Sequence, residues 1–129
     1  MELSRLARYP RNVLLLDLIG ALTTSLVTGI LLTTDRFATG VPDWILYIMA
    51  AAALGFAGYD AAGLALSSDL RTPLAVIATL NLLYCAASLV VYYTHANELT
   101  LLGKVYFPAE VIVIVLLASW ERKLADGSA

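Results

Sequence analysis

Residues 12–34, NVLLLDLIGALTTSLVTGILLTT, decide the fold class, because Asp17 is their only charged residue. A hydrocarbon core about 30 Å thick needs roughly 20 apolar residues in one helix. Similar apolar stretches follow at 44–66, 73–95 and 100–121. Only 14% of all residues are charged, against about 25% in soluble domains. We therefore predict an all-α, polytopic membrane protein with four transmembrane helices.

The connectors and the basic residues predict topology. The connectors TTDRFATGVPD, SSDLRTP and HANELT are short, so consecutive helices of this single domain (1–129) should form an antiparallel bundle. Arg36 and Lys104 fall on one side of the predicted membrane. Six basic residues fall on the other: Arg5, Arg8, Arg11, Arg71, Arg122 and Lys123. By the positive-inside rule, both termini should be cytoplasmic and the protein should lie in the cell inner (cytoplasmic) membrane.

The sequence lacks the motifs of several functional classes. It has no phosphate-binding glycine loop, no His/Cys metal spacing and no nucleophile elbow. We predict no cofactor, no metal and, without a basic patch, no nucleic-acid partner. Cys85 is the only cysteine, which argues against a dithiol oxidoreductase. An enzymatic role is left undecided, with a non-enzymatic one favoured.

Three acids lie away from the ends of the predicted spans, one of them in FAGYDAAG (56–63): Asp17, Asp60 and Glu110. Ionisable residues in membrane spans usually face the protein interior and serve function. No lysine or arginine lies in the inner half of any span to balance them. Protonated acids could form a structural network, or a proton, a metal ion or an organic amine could supply the missing charge.

Other polar residues recur at helical spacing with these acids. Thr24 is seven residues after Asp17, and Tyr84 is three after Asn81, so each pair shares one helix face. Tyr59 is adjacent to Asp60. We predict that these stripes converge on one interior, with Asp17, Asp60 and Asn81 in its inner half. The full set of predicted ligand- or proton-binding residues is Asp17, Asp60, Glu110, Asn81, Tyr84, Tyr59 and Thr24.

Small residues occupy the opposite face of the second helix: Ala51, Gly55, Gly58 and Ala62. Small residues at this spacing let helix backbones approach closely, which favours a homodimer through this face. The alternative is that glycine and alanine are simply common in membrane helices.

The segments LDLIGA, NLLYC and YFPAEVIVIVLLASWE resemble small, uncharacterised four-helix bacterial membrane proteins. That resemblance covers most of the chain and implies no activity. Small multidrug-resistance exporters are similar in length and helix number, but they carry a membrane glutamate in helix 1 where this chain has Asp17. Sterol-isomerase-like and sigma-2-receptor-like proteins are similar in placing acids in a four-helix ligand cavity.

Three functions are compatible with these features. The first is binding or transport of a small cationic or amphipathic molecule at a buried acidic pocket, with or without proton coupling. The second is an intramembrane enzyme that modifies a lipid or isoprenoid, with a carboxylic acid as proton donor. The third is a structural or regulatory membrane subunit. The lipid bilayer is a predicted partner in each, and a small molecule or lipid is the predicted ligand in the first.

Overall fold

The computed structural model describes residues 10–126 and consists of helices joined by short connectors. Each of four helical spans is long and apolar enough to cross a membrane. This confirms the prediction of an all-α chain with four helices that are long and apolar enough to span a membrane. Arg5 and Arg8, on which the predicted orientation partly rests, lie outside the described residues.

The helix bounds follow the apolar stretches closely. Helix α1 covers Pro10–Leu26 and continues as a π-helical turn at Val27–Leu31. A 3-10 turn at Asp35–Phe37 lies in the connector that follows. The other long helices are α2 (Asp43–Leu66), α3 (Arg71–Thr94) and α4 (Leu101–Ala125). A 24-residue helix such as α2 is about 36 Å long at 1.5 Å per residue, enough for a hydrocarbon core.

Helix α4 extends beyond the end of its predicted range, 100–121. It continues to Ala125, with Arg122 and Lys123 in its last turn. These cations favour the helix C-terminus, where the backbone dipole is negative. Glu121 is consequently an internal helical residue, not the end of the span.

The helices pack most closely in two pairs, α1 with α2 and α3 with α4. In the first pair the Ser25 hydroxyl donates to the Ala50 carbonyl oxygen at 2.9 Å. Gly29, in the π-helical turn, also faces Ala50, and a Cβ there would lie 3.0 Å from the alanine Cβ. The contacts between α1 and α4 are sparser, which leaves room for the cavity described below.

Two apolar clusters fill the interior. One lies beside the connectors and includes Leu46, Tyr84 and Phe107. The other includes Leu14 and Leu74. Large apolar side chains also cover the outside of all four helices, as expected for surfaces that face lipid.

The α1–α2 connector docks onto the start of α4. The backbone N–H of Thr100 donates to the Thr39 carbonyl oxygen at 2.9 Å, and its hydroxyl donates to Ala38 at 2.7 Å. The Thr100 hydroxyl also accepts from the Gly103 N–H at 3.2 Å, which caps α4. Gly103 has no side chain where the Thr39 carbonyl group touches it. This contact fixes the two connectors to each other.

We predict that Gly103→Ala lowers the free energy of unfolding by about 1–3 kcal/mol, because its Cβ would overlap the Thr39 carbonyl oxygen. The denaturant midpoint in detergent micelles measures this. Gly20→Ala is the matched control, since a Cβ at Gly20 would meet no atom within 4 Å. Equal midpoints for the two variants would contradict the packing described here.

Candidate functional site

A buried polar cluster joins all four helices. The side-chain amide of Asn81 (α3) donates to Asp17 Oδ1 (α1) at 2.8 Å. It also donates to Glu121 Oε1 (α4) at 3.0 Å. The carboxyl group of Asp60 (α2) lies against that of Asp17, and the carboxyl groups of Asp17 and Glu121 also lie together. All four side chains are buried.

The cluster has more acceptors than donors. Asp17 Oδ2, Glu121 Oε2 and both oxygens of Asp60 receive no hydrogen bond from any residue in the described range. Two carboxylates cannot hydrogen-bond to each other unless one carries a proton, and adjacent buried anions repel strongly. The cluster therefore needs positive charge, supplied by protons or by a cation.

The acids do not form a metal site by geometry. Among residues 10–126, no three or more histidine, cysteine, aspartate or glutamate side chains are arranged to hold a metal ion.

A second polar group surrounds Glu110. The hydroxyl of Tyr106 donates to Glu110 Oε2 at 2.6 Å and lies 3.5 Å from the hydroxyl of Thr28. Glu110 Oε1 is buried and has no hydrogen-bond partner in the described chain. The Tyr84 hydroxyl is likewise buried without a hydrogen bond, although Thr28 lies close to it. This group thus also has unused hydrogen-bonding capacity.

One cavity of about 320 Å³ connects the two polar groups. Asp17 and Asn81 line it at the acid cluster, and Tyr84, Tyr106 and Glu110 line it at the second group. None of its lining residues in the described chain is a lysine, arginine or histidine. Asp17 and Glu110 are thus the acids that line an otherwise mostly apolar cavity.

The cavity opens between α1 and α4. Gly20 and Thr23 of α1 and Ala109 and Val113 of α4 line it and are exposed on the outer surface. Val113 is 64% exposed, on the apolar outside of the helices. The mouth therefore faces sideways, toward the surroundings of the apolar helices.

The structure brings most of the predicted site residues together. Asp17, Thr24, Asn81, Tyr84 and Glu110 line the cavity. The other two predicted residues lie elsewhere.

Asp60 does not line the cavity but lies behind Asp17 in the acid cluster. Tyr59 is half-buried and packs against the apolar cluster of Leu14 and Leu74. Adjacency to Asp60 in sequence therefore did not place Tyr59 at the site, because successive helical residues point about 100° apart.

Glu121 and Tyr106 belong to the two polar groups but are not among the predicted site residues. Glu121 follows Glu110 by eleven residues and Tyr106 precedes it by four, so all three share one face of α4. This helical spacing is the feature of the sequence that could have identified Tyr106 and Glu121 as site residues. The predicted span of 100–121 ends at Glu121 and so places this residue at the edge of the membrane.

The small-residue face of α2 lies on the outside of the chain. Gly55 and Gly58 are exposed, and a Cβ at either would meet no atom within 4 Å. Asp60, on the opposite face, is 0% exposed. The homodimer through this face stays a prediction.

Comparisons with known proteins found no matching family model, no matching curated protein and no matching solved structure. Any function must therefore be inferred from the cavity and its two polar groups.

We predict opposite stability effects for two substitutions in the acid cluster. Asn81→Asp removes the shared amide donor and adds an acid, so the free energy of unfolding should fall by about 3–5 kcal/mol. Asp60→Asn supplies an amide that can donate to Asp17, so the free energy of unfolding should rise by about 1 kcal/mol. Denaturant unfolding in micelles measures both. Asn97→Asp is the matched control, because it makes the same change at an exposed connector residue. If Asn97→Asp lowered the free energy of unfolding as much as Asn81→Asp does, the prediction would be refuted.

Proposed function

We propose that this protein binds a small amphipathic cation in the cavity between α1 and α4 and moves it through the membrane. The observation that carries the proposal is the cavity itself. Its volume of about 320 Å³ suits a small molecule, and acidic side chains without a basic one among its described lining residues favour a cation. Ligand cavities commonly have volumes of about 300–1,000 Å³.

The chemistry of the walls favours an amine or quaternary ammonium group. Glu110 offers an unpartnered carboxylate oxygen. The rings of Phe56, Tyr84 and Tyr106 line the same cavity, and an aromatic face attracts a cation by about 0.5–2 kcal/mol. A carboxylate among aromatic rings gives such a cation both a counter-charge and a polarizable surface.

The lateral mouth favours an amphipathic ligand. Between apolar helices in a bilayer, a sideways opening faces lipid tails, so a ligand that partitions into the membrane could enter without crossing the connectors. Its charged group would lie at Glu110 or Asp17, and its apolar part would lie toward Val113.

The proposal includes the predicted topology. With the helices antiparallel and both termini cytoplasmic, Arg71, Arg122 and Lys123 would flank the cytoplasmic side. Glu121, next to two of these residues in sequence, would place the acid cluster in the cytoplasmic half of the inner membrane. The exposed α2 face would be available for a second copy of the chain.

A second candidate function rests on Glu110 Oε1, which is buried and has no hydrogen-bond partner in the described chain. A glutamic acid beside a lateral opening could deliver a proton to a double bond of a lipid or isoprenoid. A neutral isoprenoid would then bind better than a cation. For a structural or regulatory subunit, the third alternative, neither ligand would bind and a partner protein would co-purify.

We predict that phenylpropyltrimethylammonium binds the protein in lipid nanodiscs more tightly than neutral phenylpropanol does. Glu110→Gln should weaken binding of the cation about tenfold to hundredfold, because the amide removes the counter-charge that attracts the quaternary ammonium group. Binding of phenylpropanol should change little. Isothermal titration calorimetry gives these affinities.

Glu98→Gln is the matched control, because Glu98 lies in the α3–α4 connector and is exposed. Equal affinity of the wild type for the cation and the neutral alcohol, or no effect of Glu110→Gln on cation affinity, would reject cation binding at this cavity.

A further inference from the structure

We infer that the acid cluster stores a proton and that this proton leaves when a cation occupies the cavity, with Asp17 as the residue through which the two charges exchange. This inference rests on the proposed function. It assigns different roles to the acids of one continuous site, with Glu110 as a ligand contact and Asp60 and Glu121 as proton-holding residues.

Asp17 alone among the three cluster acids touches both parts of the site. It lines the cavity, and it contacts the carboxyl groups of Asp60 and Glu121. Asp60 and Glu121 are both 0% exposed and do not line the cavity. A ligand can therefore influence their protons only through Asp17 and its amide partner Asn81.

Tyr84 gives independent evidence that the cavity is built for a polar occupant. It belongs to the second polar group, is only 7% exposed and lines the cavity. Its hydroxyl makes no hydrogen bond with any described residue. A buried polar group left in this state costs about 1–3 kcal/mol, which a ligand or water in the cavity would offset.

The polar groups that form the cluster come from all four helices. Each packed helix presents one polar group to it: Asp17 from α1, Asp60 from α2, Asn81 from α3 and Glu121 from α4. Arg122, next in sequence to Glu121, directs its guanidinium to the Thr79 hydroxyl at 3.0 Å. At the far end of the cavity the titratable groups are Glu110, Tyr84 and Tyr106.

The exchange balances in charge. Before binding, a proton lies between carboxyl groups of the cluster and reduces their mutual repulsion. A cation beside Asp17 stabilises its carboxylate, so one carboxyl O–H bond breaks and the proton passes to water. The buried site gains one positive charge and loses one, and its net charge is unchanged.

Calorimetry in two buffers of different ionisation enthalpy counts the released protons, because the buffer takes up each one. Phenylpropyltrimethylammonium is the probe, since it has no titratable proton of its own. We expect the wild type to release about one proton per bound cation. The Glu98→Gln control should release the same number.

The double variant Asp60→Asn with Glu121→Gln separates binding from exchange. It would surround Asp17 with three amides and leave no proton between carboxyl groups of the cluster. We expect the probe to bind within about threefold of its wild-type affinity, a difference of less than 1 kcal/mol, but to release no proton. If the double variant does not fold, Asp60→Asn alone should still reduce the number of protons released.

Infrared spectroscopy tests the proton store without a ligand. The wild type and Glu110→Gln should both show the carbonyl band of a protonated carboxylic acid, and the double variant should lose it. Binding of the probe without proton release, or undiminished release from the double variant, would overturn the exchange while leaving cation binding intact. Failure of the wild type to bind the probe would overturn the proposed function together with the exchange.

Discussion

The contact between one amide and two acids constrains the whole interior. Asn81 has one NH₂ group, and it uses that group to hold Asp17 of α1 and Glu121 of α4. Asp60 of α2 then lies against Asp17 with no donor from the described chain for either of its oxygens. In a low-dielectric interior such a set is stable only with added positive charge, because desolvated anions repel each other and lack water to solvate them.

At the opposite end of the protein, the polar groups that join the connectors are hydrogen-bonded to each other. There the connector carbonyl groups of Ala38 and Thr39 accept hydrogen bonds from Thr100, and Gly103 permits their close approach. These bonds are complete and need no ligand. The structure thus combines one hydrogen-bonded polar end with two groups that keep unpartnered polar atoms, the acid cluster and the group around Glu110, and both of these groups touch the cavity. Such unsatisfied buried groups are the features of a native structure that most need a functional explanation.

The sequence predicted the spans well and the site only in part. The four apolar stretches are long enough to leave little choice of fold class, and the burial of Asp60 followed from its position opposite Gly58 on α2. Glu121 was missed because charge after a span usually marks the membrane surface, whereas α4 continues through that charge to Ala125. Which acids touch each other depends on how the four helices pack, and helical spacing within single helices does not specify that packing.

The loosely packed seam between α1 and α4 gives the site one closed end and one open side. Helix α1 packs mainly on α2, and α4 packs mainly on α3, so a cavity can exist at the seam without breaking either pair. Asn81 closes the seam at one end by holding acids from both helices, while the exposed Gly20 and Ala109 leave it open at the side. The charge of any occupant at Asp17 therefore acts on a hydrogen-bonded contact that joins the two helices. Binding and the protonation of that contact should consequently be coupled, and both should affect how firmly α1 and α4 are held together.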